Sequence, residues 1–254
     1  MKTKTAFTLV ELLVVISIIA LLLSILMPVL SRSRKQAQTV VCLSQLKQMV
    51  LAAYIYAENN KNYYPLAYDR KVVDGIGKMD CWDFMDSDPV KPGILWQGQG
   101  FEKIQQCPSF KGASNMTAGR YSGYNYNSSY IGGFAITFIS GNTIINQSGQ
   151  PSVSVLRIRR PAACALFGDG QFSGGANKFM RSPFAGPVDE ILGFGDSWTG
   201  AQGYRHLAKT NIGWADGSVS SLKKCFNPLK PVMARKVVVG TGFISPDNSA
   251  YGLD

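Results

Sequence analysis

Polar and apolar residues fall along this chain in three textures. Residues 1–6 are short, basic and polar, and residues 7–30 are almost wholly apolar. From Leu12 to Leu30 there are 19 residues without a charge, close to the ~20 a helix needs to cross a bilayer. A secretory signal has a shorter apolar core and then a small-residue cleavage site, and neither is present. The pattern next becomes one-sided. Val40, Leu43, Leu46, Val50, Ala53 and Ala57 recur at three- and four-residue spacing, one face of an amphipathic helix, while Arg34, Gln38, Gln45, Lys47 and Gln48 fall opposite. Asn59, Asn60, Asn62 and Pro65 end the run. One helix of roughly 50 residues, ~75 Å long, is therefore predicted, with Pro28 kinking it near the junction of its halves.

After residue 65 Gly, Pro, Asn and Ser punctuate short apolar stretches. Candidate strands are residues 121–133, 135–140, 154–158, 163–169, 210–216 and 218–224. Asp216-Gly217 between two of them is a strong hairpin signal. The expected fold class is α+β: a long N-terminal helix packed on an antiparallel β-sheet with long loops. The expected organisation is residues 1–6, an apolar helix over 7–30, its amphipathic continuation over 31–62, and a β-rich globular domain over 63–254.

Charge and cysteine content sharpen this only locally. The formal charge is +10, and Arg205, Lys209, Lys223, Lys224, Lys230, Arg235 and Lys236 lie near one another in sequence with Asp216 as the sole acid among them. Such a run is either a solvated face or a surface for a polyanion such as DNA or an acidic glycan. The five cysteines form no C-x-x-C pair, so a zinc ribbon or thioredoxin-type motif is unsupported. Cys81 and Cys107 both fall in loop-rich sequence that would gain from a staple, and are the candidate disulfide pair.

One residue contradicts the apolar run. Glu11 lies inside it, and a carboxylate in a membrane helix marks a functional position by default. The surrounding "AFTLVELLVVISIIALLLSILMPVL" resembles the N-terminus of type IV pilins and of the pseudopilins of type II secretion: a short basic leader, a small residue, Phe, Thr-Leu-x-Glu, a long apolar helix and a proline at its end. The resemblance implies a type IV pilin-like fold and cleavage by a prepilin peptidase between Ala6 and Phe7, with Ala6 where the family usually has Gly. It implies methylation of the new amino terminus at Phe7, and assembly in which Glu11 meets the amino terminus of a neighbouring subunit. The implied partners are the peptidase, a pilus or secretion assembly platform and other pilin subunits. The implied location is the bacterial inner membrane, crossed once, with the globular domain outside the cytoplasm, and then a pilus or pseudopilus. The implied function is structural and not enzymatic. A minor pilin that captures a polyanion is the alternative.

A second resemblance lies in "RHLAKTNIGWADGSV", where His206 precedes Asp216-Gly217, together with "CLSQLKQ", "YAENNKNYYP", "CPS" and "YSGYNYN". These are similar to prepilin-like proteins of planctomycete and lentisphaera lineages. His206 is the single histidine, and "GDSWT" at 195–199 is not a nucleophile elbow, so a structural role bonding a loop carbonyl or Asp216 is expected for it. Asp169 and Asp216 each end a candidate strand and could hold Ca²⁺ if the strands are neighbours. Asp80, Asp83, Asp86 and Asp88 are a second acidic candidate, without EF-hand spacing. The aromatic 121–130 stretch is either a stacking surface or a strand with one packed and one wet face.

Overall fold

A computed structural model describes residues 8–86, 91–96, 106–112, 122–172, 175–193, 201–227 and 239–254. A single α-helix, α1, runs from Leu9 to Asn59, 51 residues. Its start is fixed by a capping box: the Glu11 backbone N–H donates to the Thr8 hydroxyl (3.2 Å), and Glu11 Oε2 accepts from the Thr8 backbone N–H (2.8 Å) and hydroxyl (2.7 Å). Pro28 lies inside the helical span. Ser17 and Ser24 do not leave unmet hydroxyls in the apolar run, because each donates back to a carbonyl of the preceding turn, Leu13 and Leu21, at 2.7 Å.

Two sheets follow. The first contains β1 (Tyr68–Val73), β2 (Ile76–Cys81), β6 (Phe134–Ser140) and β7 (Thr143–Gln150), in the order β2-β1-β6-β7. The β1–β2 turn is Asp74-Gly75, both at positive φ (47° and 83°), the geometry a two-residue hairpin needs. Asp74 Oδ1 also accepts from the Gly141 N–H in the β6–β7 turn at 3.0 Å, tying the two hairpins together. A two-stranded ribbon, β3 (Phe84–Met85) with β4 (Lys91–Pro92), follows the first hairpin.

The second sheet is built around β8 (Ala165–Gln171), which pairs with β5 (Tyr124–Asn127), β10 (Ala201–Gly203) and β11 (Thr210–Trp214). It is extended by β9 (Phe179–Met180), β12 (Val219–Leu222) and β13 (Thr241–Gly242). A short helix, α2 (Pro187–Ile191), crosses beside it. The main core joins Cys42, Leu46, Val50 and Ala53 of α1 to Trp82, Tyr126, Leu166 and Phe167. Aromatic rings fill its centre: Tyr126 stacks on Phe167 at 5.0 Å, and Trp82 lies 5.3 Å from Phe167.

The α+β class and the long helix agree with the sequence reading, and the Asp216-Gly217 hairpin joins β11 to β12 with Gly217 at φ +91°. Four details differ. The sheets are mixed, since β1 pairs with β6 and β5 with β9 in parallel. Residues 154–158 hold a 3₁₀ turn, Val155–Arg157, capped by the Ser154 hydroxyl, instead of a strand. The aromatic strand β5 is buried on both faces, so it is neither a stacking surface nor half wet. Val40 is exposed, and the buried face of α1 runs through Cys42, Leu46, Met49, Val50, Ala53 and Ala57.

Candidate functional site

The candidate functional region is α1 and its seam with the globular domain. Over Leu9–Leu30 every residue is exposed. At 1.5 Å per residue this stretch is ~33 Å long, the thickness of a bilayer's hydrocarbon core. Among the described residues it is the helix long and apolar enough to cross a membrane, and no part of the globular domain covers that stretch.

Beyond Gln38 the helix is gripped by polar bonds from three separate segments. Gln38 Nε2 donates to the Pro108 carbonyl (3.3 Å), the Tyr124 hydroxyl donates to Gln45 Oε1 (2.6 Å), and Lys47 Nζ donates to the Gly217 carbonyl (2.6 Å). The Tyr54 hydroxyl donates to the Ala215 carbonyl. Helix and sheet approach closely at Gly213, where a Cβ would come within 2.7 Å of Val50 Cγ2. Gln38 and Gln45 are half-buried against the domain, a correction to the two-faced reading of the helix, while Lys47 stays exposed and reaches the domain with its ammonium alone.

The 205–218 signature explains itself in this frame. Its first part forms a tight turn in which His206 and Lys209 exchange both backbone hydrogen bonds at 3.0 Å, with Leu207 and Ala208 between them at φ 53° and 60°. Two consecutive non-glycine residues in the left-handed region persist only where the surroundings enforce them. What they enforce is the direction of Arg205 and His206, which both reach Asp169. Asp169 Oδ1 accepts from Arg205 Nη2 (3.2 Å) and His206 Nε2 (3.3 Å), and Oδ2 accepts from the Asn211 backbone N–H (2.6 Å). Asp169 is fully buried, so its charge is tolerated only through these partners. Arg205 further donates to the Gly170 and Gly123 carbonyls and lies over the Phe110 ring at 5.2 Å.

His206 touches α1 as well. The Thr39 hydroxyl donates to the Lys35 carbonyl (2.9 Å), which leaves its oxygen to accept from His206 Nδ1 at 3.4 Å. Both ring nitrogens are thus donors, the arrangement of a charged imidazolium. Burial opposes that charge, but the bonds to Asp169 and Cys107 outweigh it and raise the imidazole to about 9.

Cys107 completes the cluster. Its sulfur lies 3.0 Å from Cys42 Sγ, 3.5 Å from Arg205 Nε and 3.6 Å from His206 Nε2. The contact with the Cys42 thiol, followed by those with His206 and Arg205, lowers Cys107 to about 3 and so favours its thiolate, whereas the Cys42 thiol is pushed upward. The expected Cys81–Cys107 pair is not formed: Cys81 points to the Met79 carbonyl at 4.0 Å, and Cys107 faces α1.

The calcium site expected from Asp169 and Asp216 does not fit either. Asp169 is enclosed by two cations, and Asp216 sits at the exposed hairpin tip, where its Oδ1 accepts from the Ser218 N–H (2.8 Å) and hydroxyl (2.7 Å). His206 bonds Asp169 and not Asp216. In the acidic stretch, Asp83 forms a buried ion pair with Lys178 at 2.8 Å, and Asp80 Oδ1 accepts the Asp86 N–H at 3.1 Å, while Asp88 lies outside the described residues. Arg205 is withdrawn from the basic run by its burial against Asp169. Lys209, Lys223 and Lys224 are exposed, and Lys230, Arg235 and Lys236 lie outside the described residues, as do Ala6, Phe7 and the "GDSWT" stretch.

Residues 1–27 match the family described as the prokaryotic N-terminal methylation motif. The N-terminal segment thus carries the methylation motif, and the matches support a prepilin-like reading of it. Glu11, Pro28 and most of the exposed half of α1 fall at or next to this prepilin-like segment. The chain is also 40% identical, over 63 residues, to the type IV wide pilus major component PilA4 of Thermus thermophilus, covering 25% of this chain and 48% of that protein. The match therefore spans about half the length of that curated relative. No solved structure matches the chain.

Proposed function

We propose that this protein is a structural subunit of a type IV pilus or of a type II secretion pseudopilus. A prepilin peptidase cuts between Ala6 and Phe7 in the inner membrane and methylates the new amino terminus. An assembly platform then draws the subunit into a filament of sister subunits through the exposed half of α1, with the globular domain outside the cytoplasm. The observation that carries this reading is the exposed helix that begins within the methylation motif, with Glu11 at its head and no charge from Leu12 to Leu30.

The geometry at Glu11 supports the docking step. Thr8 engages Oε2 alone, leaving Oε1 for the positive amino terminus of a neighbouring subunit. A charged bond of that kind, formed out of water, fixes the axial register of parallel helices as a polar residue does in a coiled coil. The negative charge is also favoured by the helix N-terminus beside it.

The seam favours support over catalysis. Cys107 and Asp169 meet the same nitrogen of His206, whereas a nucleophile–base–orienter relay uses both ring nitrogens, and Cys107 is 1% exposed. Glu11→Ala tests the proposal: the variant is expected to insert in the membrane and keep its folded domain, while its incorporation into sheared filaments is lost. Undiminished incorporation would remove Glu11 from the assembly step.

A further inference from the structure

We propose that Cys42 and Cys107 form a disulfide that bolts the assembly helix to the globular domain. Cys42 projects from the middle of α1, and Cys107 from the segment that precedes β5, 65 residues away in sequence. Their sulfurs, 3.0 Å apart, need to close by only about 1 Å to reach bonding distance. The other three cysteines lie against backbone carbonyls: Cys81 by Met79, Cys164 by Tyr251 and Cys225 by Thr241, at 4.0, 3.6 and 3.5 Å. Proximity of sulfur to sulfur thus selects this pair.

The surroundings suit thiol–disulfide exchange, which proceeds through a thiolate. Arg205 and His206 place two positive donors on Cys107, so Cys107 is the attacking sulfur. It displaces one thiolate from a disulfide donor and forms a mixed disulfide. Cys42 gives its proton to the released thiolate and attacks the Cys107 sulfur, expelling the second donor thiolate. The proton that Cys107 gave to solvent on becoming a thiolate returns to the second donor thiolate, so that overall the two protein cysteines lose two electrons and two protons and the donor disulfide becomes two thiols. Arg205 is held in place by Asp169, Gly170 and Gly123 and lies over the Phe110 ring at 5.2 Å, and the exposed Gln38–Pro108 bond marks the rim nearest the pair, where the donor would enter.

Cys42, Cys107 and His206 also bring three ligand atoms within 4.8 Å of one another. A metal cation there would face the Arg205 guanidinium and a ring nitrogen already donating to Asp169, which favours the covalent bond instead.

The bond rests on the proposed function only in that the domain must lie in a compartment where disulfides persist. The pairing is testable without export. The full-length chain in detergent micelles is equilibrated with reduced and oxidised glutathione, acid-quenched, unfolded, alkylated without reductant and digested. The expected result is a Cys42–Cys107 peptide pair lighter by two hydrogens than its reduced parts, with Cys81, Cys164 and Cys225 alkylated. Cys81→Ser keeps the pair, and Cys107→Ser makes Cys42 alkylatable. Alkylation of all five cysteines, a link through Cys81, or protection of Cys42 and Cys107 that a zinc chelator removes would overturn it. The same digest of protein from its host reads the N-terminus independently: an unprocessed terminus with the link intact defeats the filament reading alone, and a processed terminus with free thiols defeats the bond alone.

Discussion

Leu22 and Leu46 are the same residue on the same helix, yet Leu22 is 55% exposed and Leu46 fully buried. The first half of α1 offers apolar side chains in every direction, and among the described residues nothing covers it. The second half buries one stripe and is then pinned by Gln38, Gln45, Lys47 and Tyr54 through polar bonds to three distant segments. One continuous helix is thus matched to two surroundings: an apolar one on all sides for the first half, which the proposed function fills with lipid or sister helices, and a folded domain for the second. The helical backbone runs through both, interrupted only by the missing N–H of Pro28, so the exposed half is joined to the domain through the seam. The polar cluster around Asp169 meets the helix at Thr39 and Cys42, and so is a point at which helix and domain can be loosened from each other.

The largest expected effect comes from attacking that grip. Asp169→Ala takes the buried carboxylate away from Arg205 and His206, leaving two buried cations with Cys107 alone, and should destabilise the domain by about 3–5 kcal/mol, read as a drop in the denaturant midpoint of the full-length chain in detergent. A change under about 1 kcal/mol would mean that the cluster is ornamental.

A paired substitution sharpens the contrast between the halves. Leu46→Ala should cost about 2–5 kcal/mol through lost contact and the cavity left behind. Leu22→Ala, in the uncovered half, should leave the unfolding midpoint of the domain unchanged. Equal losses at the two sites would show that the halves do not differ as described.

A smaller effect is expected from pH. His206 is raised from 6.5 to about 9 on folding, so its contribution is full below pH 6.5 and is lost as pH rises through 9. Cys107 is lowered from 9.0 to about 3, so its contribution is full above pH 9 and is lost as pH falls toward 3. Between about pH 6.5 and 9 the proton His206 gains on folding matches the one Cys107 loses, and the reduced protein should hold a level stability there. Cys107→Ala removes one side of that balance, and its thermal midpoint should decline across the same window. A decline in the reduced parent chain, or a level profile in the variant, would contradict the ion-paired seam.

These contrasts were only partly legible in the sequence. The helix and its two textures were, because period and charge are local properties, and the Asp216-Gly217 hairpin was, because its flanking strands alternate. The same turn signal at Asp74-Gly75 went unread, since the strands "YDRKVV" and "IGKMDC" carry charges where an apolar alternation is sought. The capping box was present as Thr8-x-x-Glu11 but was masked by the question of why a carboxylate sits in an apolar run. The seam was not legible at all. Cys42, Cys107, Asp169 and His206 come from four distant stretches, and no local spacing brings them together. Asp169 and Asp216 both look like strand-end carboxylates in sequence. Only the fold shows that one is buried between two cations and the other caps a turn in solvent.

The account turns on the first half of α1 being a processed assembly helix. The most direct test is the N-terminal peptide of the protein isolated from its host, identified by mass spectrometry. A peptide that begins at methylated Phe7 is the predicted result, and a chain that retains Met1 through Ala6 would contradict it.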